Sequence, residues 1–149
     1  MNRTIKIALI GTGGVGKTTF LKRLSDNTFD RCYNPTIGYD ITKIIRGDTT
    51  YEFYDFSGIE IYSGTYGDPE FYEMFDYVFL IVDNNSRMSH KHGLEWLSRI
   101  NRKNTPTLKI RNKCELSGEN FEFSNGDGYV NISTKTGRGV DEVLKQIII

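Results

Sequence analysis

The stretch Gly11-Thr12-Gly13-Gly14-Val15-Gly16-Lys17-Thr18 fits the pattern G-x-x-x-x-G-K-[ST], and the apolar run Ile5-Lys6-Ile7-Ala8-Leu9-Ile10 stands directly before it. A strand that feeds such a loop and then opens a helix is the setting in which this pattern binds phosphate. Glycines let successive backbone N–H groups turn inward on a di- or triphosphate, and the helix N-terminus adds its partial positive charge. Lys17 would reach the outer phosphates, and the Thr18 hydroxyl would hold Mg²⁺. Gly13, Gly14, Val15, Gly16, Lys17, Thr18 and Thr19 are the candidate nucleotide contacts of this segment. The feature requires a fold with a strand, a tight loop and a helix near its start, and it makes the chain a binder of nucleoside triphosphates.

The rest of the chain keeps that rhythm. Apolar runs alternate with amphipathic stretches in a β-α-β order without repeats, the signature of a mostly parallel sheet wrapped by helices. With 149 residues there is one domain, long enough for a sizeable core. The expected fold is α/β: a doubly wound, mostly parallel six-stranded sheet flanked by helices. Strands are expected near Thr4 to Ile10, Tyr39 to Arg46, Thr50 to Asp55, Tyr77 to Asp83, Thr107 to Asn112 and Tyr129 to Ser133. Gly47-Asp48 suggests a hairpin between the second and third, giving one antiparallel edge. Helices are expected from Lys17 to about Asn27, briefly after Asp68-Pro69, from Ser89 to about Lys103, and from Gly139 to the end.

Nineteen basic residues balance nineteen acidic ones, so no global charge draws the chain to nucleic acid or anionic lipid. The two cysteines, Cys32 and Cys114, form no disulfide framework, and nothing has metal-ligand spacing. A reducing, cytoplasmic home follows from that usage. The polar start is unlike a signal peptide, no apolar run approaches the ~20 residues of a membrane span, and the C-terminal residues offer no prenylation cysteine. No direct membrane anchor is therefore expected within these residues.

In open parallel sheets ligands sit beyond the carboxyl ends of the strands. There the third expected strand ends in Tyr54-Asp55, followed by Phe56-Ser57-Gly58. Asp55 can hold a Mg²⁺-bound water, and the Gly58 amide can meet a terminal phosphate. Asn112-Lys113-Cys114-Glu115 follows the fifth expected strand and Ser133-Thr134-Lys135 the sixth, so both reach the rim that carries the phosphate loop.

The order of phosphate loop, Tyr-x-Pro-Thr-Ile-Gly (from Tyr33), Asp-x-x-Gly, Asn-Lys-Cys-Glu and Ser-Thr-Lys resembles a small GTPase of the Ras superfamily, from about residue 4 to 149. The Pro-Thr-Ile-Gly string looks nearest the Rab branch. The resemblance implies GTP/GDP and Mg²⁺ as ligands. It makes Asp30 to Gly38 switch I, with Thr36 on Mg²⁺ and the γ-phosphate, Tyr33 closing over the phosphates and Phe29 packed edgewise against guanine. Switch II would run from Asp55 to about Tyr66, and both switches would engage effectors and regulators. Lys17, Thr36 and Gly58 would act at the reaction centre. Asn112 would tie neighbouring loops together, Lys113 would lie along the base, and the acid at Glu115 would accept from its N1–H and N2–H₂. Ser133 and Lys135 would steady the loop beneath the base, and Thr134, which stands where the family has alanine, would offer its backbone N–H to the base oxygen.

Two departures from the family pattern carry chemistry. Glu115 stands where the family has aspartate; a carboxylate still suits guanine's two donors and repels adenine's N1, while its extra methylene disturbs the geometry. Ile59 stands where the family has the glutamine that orients the attacking water. Isoleucine cannot do that, so a slow GTPase is one reading and a pseudo-GTPase scaffold that holds nucleotide without significant hydrolysis is the other. A P-loop kinase or ATPase would need an acceptor site and an arginine-rich lid, and the two base motifs argue against it. Gly13 leaves room for an arginine from a partner. Lastly, the family's helix ahead of the last strand falls on Leu116 to Gly128, which is rich in glycine and asparagine. That segment is expected to lose the helix or keep only a turn. The alternation of Leu108 and Ile110 with Lys109 and Arg111 implies that one face of that strand is partly open and basic, or else that Phe121 and Phe123 cover it while the charged side chains snorkel past them.

Overall fold

A computed structural model describes residues 2–11, 15–25, 30–34, 39–56, 73–100, 105–113, 123–124 and 126–147, of which 25, 30–34, 39, 56, 99 and 100 are described by backbone alone. Seven strands form one sheet: β1 (Arg3–Ile10), β2 (Asp30–Asn34), β3 (Tyr39–Arg46), β4 (Thr49–Phe56), β5 (Tyr77–Asp83), β6 (Thr107–Asn112) and β7 (Tyr129–Asn131). Their spatial order is β2-β3-β4-β1-β5-β6-β7. From β4 to β7 every pairing is parallel, while β3 runs antiparallel to both β2 and β4. All six expected strands are present. The addition is β2, which turns half of the expected switch I loop into an edge strand and extends the antiparallel edge by one pairing.

Strands β1 and β5 occupy the middle because their sequences are apolar on both faces. Alternation splits their side chains between two cores. Ile5, Ile7 and Leu9 of β1 join Phe79 and Ile81 on one face, while Ala8 and Ile10 join Val78, Leu80 and Val82 on the other. The first face is covered by α1 (Lys17–Ser25) and α3 (Val140–Leu144), which contribute Phe20, Leu24, Val140 and Val143. Phe20, Phe53 and Phe79 meet there in edge-on and tilted pairs with centroids 5.6 to 6.5 Å apart. The second face is covered by α2 (Arg87–Ile100), whose Trp96 is 2% exposed. Each of these large side chains contributes about 1.5–3 kcal/mol by leaving water. Together they fix how the phosphate-loop helix and α2 sit on the sheet.

The helix ends follow from local chemistry. The Ser89 backbone N–H donates to Ser86 Oγ at 3.2 Å, so Ser86 caps α2, and the helix begins at Arg87, two residues ahead of the expected Ser89. The Arg46 guanidinium donates to the Leu24 carbonyl, satisfying an orphan acceptor in the last turn of α1. The final helix is a correction: it stops at Leu144 rather than running to the end. Beyond it the N–H groups of Lys145, Gln146 and Ile147 reach back only three residues, to Glu142, Val143 and Leu144, the tighter winding of a helix end. The expected short helix after Asp68-Pro69 lies outside the described residues.

Ahead of β7, Phe123 packs on the first core and its carbonyl accepts from Asn131 N–H at 2.7 Å, while Ser124 bridges to Val130. Residues 123, 124 and 126–128 are not helical. The stretch from Leu116 to Glu122, on which the expected loss of a helix mainly falls, lies outside the described residues. On β6, Lys109 and Arg111 are half-buried, and their cationic heads sit 5.6 and 4.8 Å from the Tyr129 ring centroid. The face expected to be open is thus partly closed by an aromatic ring from β7.

Candidate functional site

The carboxyl ends of β1, β4, β5, β6 and β7 converge on one rim, and the described candidate residues lie along it. At the end of β1, Gly11 is pressed against β5: a Cβ there would stand 2.6 Å from the Ile81 carbonyl oxygen. At the other end of the loop Gly16 has φ +96, and a Cβ would stand 2.5 Å from Asn112 Nδ2. Only glycine suits both that backbone and that contact. The end of the loop at Gly16 is therefore seated directly on Asn112. Gly13 and Gly14 lie outside the described residues.

Asn112 is fully buried at the tip of β6 and makes three hydrogen bonds to two residues. Its Nδ2 donates to the Val15 carbonyl at 2.7 Å and to Thr134 Oγ1 at 3.2 Å, and its Oδ1 accepts from the Thr134 backbone N–H at 3.0 Å. The amide thus joins the phosphate loop to the loop after β7. Ser133, also fully buried, shapes that second loop by accepting from the Thr136 N–H at 3.2 Å. Lys135 is exposed. Arg23, on the last turn of α1, donates to the carbonyls of Thr134 and Lys135 at 2.8 and 2.7 Å. Nothing in the periodicity of α1 singles Arg23 out, and sequence reasoning passed over it.

On the phosphate side, Lys17 and Thr18 open α1 beside the tip of β4. Lys17 Nζ is 3.2 Å from Asp55 Oδ1, with the two side chains 12% and 10% exposed. It also lies 6.0 Å from the centroid of the Trp96 ring. The near-helical spacing of Trp96 with Leu94, Leu97 and Ile100 predicts core packing for all four. Trp96 fills the second core with Leu97 against it, whereas Leu94 is 40% exposed, and Trp96 Nε1 has no hydrogen-bond partner among the described residues. A buried donor in that state costs about 1–3 kcal/mol.

For a divalent cation the rim offers the Thr18 hydroxyl and the Asp55 carboxylate, both oxygen donors. Among the described residues no three His, Cys, Asp or Glu side chains cluster as metal ligands. So sparse an oxygen set fits Mg²⁺, which is typically bound by one or two carboxylates together with substrate phosphates and water.

Lys113 takes a position the resemblance did not imply. Its backbone is left-handed, φ 66, which costs a residue with a Cβ about 1–2 kcal/mol, and its Nζ lies 3.0 Å from Asp83 Oδ2. Burial tends to raise the Asp83 carboxyl, but the Asn85 N–H, the Lys113 ammonium and the charge of His90 outweigh it and hold the group below its ordinary 3.8. Asp83 was missed, although its signal was the one that marked Asp55, a carboxylate at the tip of an apolar strand. His90 and His92 stand in no acid–nucleophile arrangement in the sequence, which predicts surface positions for both; both are half-buried, and His90 Nε2 lies 3.1 Å from the Asp83 carbonyl.

Of the remaining candidates, Tyr33 stands in β2 opposite Asp40. Phe29, Thr36, Gly58, Ile59 and Glu115 lie outside the described residues. No described helix is long and apolar enough to cross a membrane.

A parallel sheet whose first strand feeds a phosphate loop, and whose later strand tips carry Asp55, Asn112 and Ser133-Thr134-Lys135, is that of a Ras-like GTP-binding domain. The family model described as the Ras of Complex, or Roc, domain of DAPkinase matches residues 6–115. The chain belongs to that family, within the Ras-like GTPase superfamily.

Proposed function

We propose that the chain is a Mg²⁺-dependent guanine-nucleotide switch that hydrolyses GTP slowly. The observation that carries the proposal is the Asn112 amide, which bonds to Val15 on the phosphate side and to Thr134 on the base side. It supports one nucleotide spanning both loops, with phosphates on Gly13 to Thr19 and guanine between Asn112-Lys113-Cys114-Glu115 and Ser133-Thr134-Lys135. Phe29 and Tyr33 would close over the nucleotide from switch I.

Mg²⁺ would be held by Thr18, Thr36 and Asp55 and would supply charge neutralisation at the β- and γ-phosphates. Lys17 lies where it can exchange Asp55 for a phosphate oxygen, a charge-assisted contact. Thr36 and Gly58 would bind the γ-phosphate through backbone N–H groups. Both switches, Asp30 to Gly38 and Asp55 to about Tyr66, would present the bound state to effectors and regulators, and the Pro-Thr-Ile-Gly string suggests a Rab-like switch I. A cytoplasmic setting fits the cysteine usage.

The second reading, a pseudo-GTPase scaffold, is favoured by Ile59 alone, which cannot orient water. One experiment separates the two. The nucleotide that copurifies with the protein is identified by chromatography, and turnover of bound GTP is followed with Mg²⁺ present. Slow conversion to GDP supports the switch, persistent GTP supports the scaffold, and copurified ATP or equal competition by ATP refutes both.

A further inference from the structure

We infer that Trp96 is a positioning residue of the phosphate site, holding the Lys17 ammonium over its ring face. The inference rests on the nucleotide reading above and extends it to a residue on the opposite face of the sheet from α1. Three observations carry it. Lys17 Nζ lies between the Asp55 carboxylate at 3.2 Å and the Trp96 ring centroid at 6.0 Å, a distance at which an indole face attracts a cation. Trp96 is 2% exposed and packed among Ala8, Ile10, Val78, Leu80 and Val82, so the ring is fixed and the ammonium is the partner that adjusts. Its Nε1 lacks an acceptor among the described residues.

The third observation decides what kind of residue Trp96 is. Leucine or phenylalanine would fill an apolar core without burying an orphan donor, so packing alone does not favour indole here. Indole does have the strongest cation-attracting face of the three aromatic side chains. Gly93, one turn earlier, seats the helix close to the sheet: a Cβ there would stand 2.8 Å from Leu80 Cδ1. That close approach brings an α2 side chain within reach of a lysine that α1 projects along the strand tips. When nucleotide arrives, Lys17 leaves Asp55 for phosphate, and the ring beneath limits where the ammonium can settle. The binding geometry is thereby set before the ligand arrives.

Mg²⁺–GTP affinity is measured by calorimetry for wild type, Trp96→Phe and Trp96→Leu, with thermal melts of each. Trp96→Leu should bind about three- to thirtyfold more weakly and Trp96→Phe about two- to fivefold more weakly. Trp96→Phe should melt within a few degrees of wild type, because losing the orphan donor offsets the lost volume. Since the chain has one tryptophan, its emission reports this contact: wild type should change intensity on saturation with nucleotide, and Lys17→Ala should alter the emission of the nucleotide-free protein. Unchanged affinity in both Trp96 variants, or emission indifferent to Lys17→Ala, overturns the inference while leaving the nucleotide reading intact. A wild type that binds no nucleotide overturns both.

Discussion

Replacing Asn112 by alanine should loosen the molecule at one point and be felt in both halves of the site. The amide makes three hydrogen bonds, at 2.7, 3.2 and 3.0 Å, from a fully buried position. Each is worth about 1 kcal/mol net, and each buried group stranded by the truncation, chiefly the Val15 carbonyl and the Thr134 N–H, adds about 1–3 kcal/mol unless water enters. The space left faces polar atoms on two loops, so partial rescue by water is expected, and the total should be about 3–5 kcal/mol. That is a large share of the ~5–15 kcal/mol that stabilises a domain. Urea unfolding in the absence of nucleotide measures it directly: with a slope of about 2 kcal/mol/M, the midpoint should fall by roughly 2 M. Asn112→Asp serves as the control for geometry. It keeps the acceptor for Thr134 but sets a carboxylate oxygen against the Val15 carbonyl, so it should be no better than alanine. A loss below about 1 kcal/mol for Asn112→Ala would refute the view that this side chain joins the phosphate and base loops.

Lys17→Ala should lower nucleotide affinity by about a hundredfold or more while keeping a wild-type circular dichroism spectrum and a cooperative melt; unchanged affinity would refute its role at the phosphates. Ile59→Gln should hydrolyse bound GTP faster than wild type in single turnover, since only glutamine can orient water, and an equal rate would assign that task to another group. Glu115→Asp should tighten GDP binding by about tenfold, the equivalent of one better-made charged hydrogen-bond pair, with fluorescent-GDP competition as the measurement. Asp83 supplies a pH dependence. Its folded-state carboxyl is held below 3.8, so the stability it contributes is fully present above that value and is lost as pH falls through the lowered one. Asp83→Asn should therefore flatten the decline of stability as pH falls below 3.8. Parallel acid profiles for the two proteins would show that the Lys113 pairing does not matter.

What could be read ahead of the structure, and what could not, divides along a physical line. Strands β1 and β5 were legible because each is apolar on both faces, and the rim motifs followed because residues after such strands must lie at its edge. Strand β2 was not legible: Asp-Arg-Cys-Tyr-Asn has no period of its own, and its extended form is defined by pairing with β3, a tertiary contact that overrides local preference. The last helix was read too long because Lys145-Gln146-Ile147 continues an apolar pattern that the backbone does not follow past Leu144. In the site, Lys17, Asp55 and Asn112 were found by position after strands. Arg23 and Trp96 act from helix positions that look like surface and core, and only the packing of α1 and α2 on the sheet brings them to the rim.

The seating of Gly16 on Asn112 also sets an order of events when the chain is made. Asn112 bonds to Val15 from a position 97 residues further on, and its other partner, Thr134, comes later still. At about 5–20 residues per second, on the order of ten seconds separates the emergence of the phosphate loop from that of the side chain that holds it. During that interval the nascent chain has the glycines and Lys17 but lacks the amide and the β7 loop that fix them. A ribosome-bound chain stalled before Thr134 should therefore retain little nucleotide. Ligand capture becomes a late step of biogenesis, reporting that the whole domain has closed.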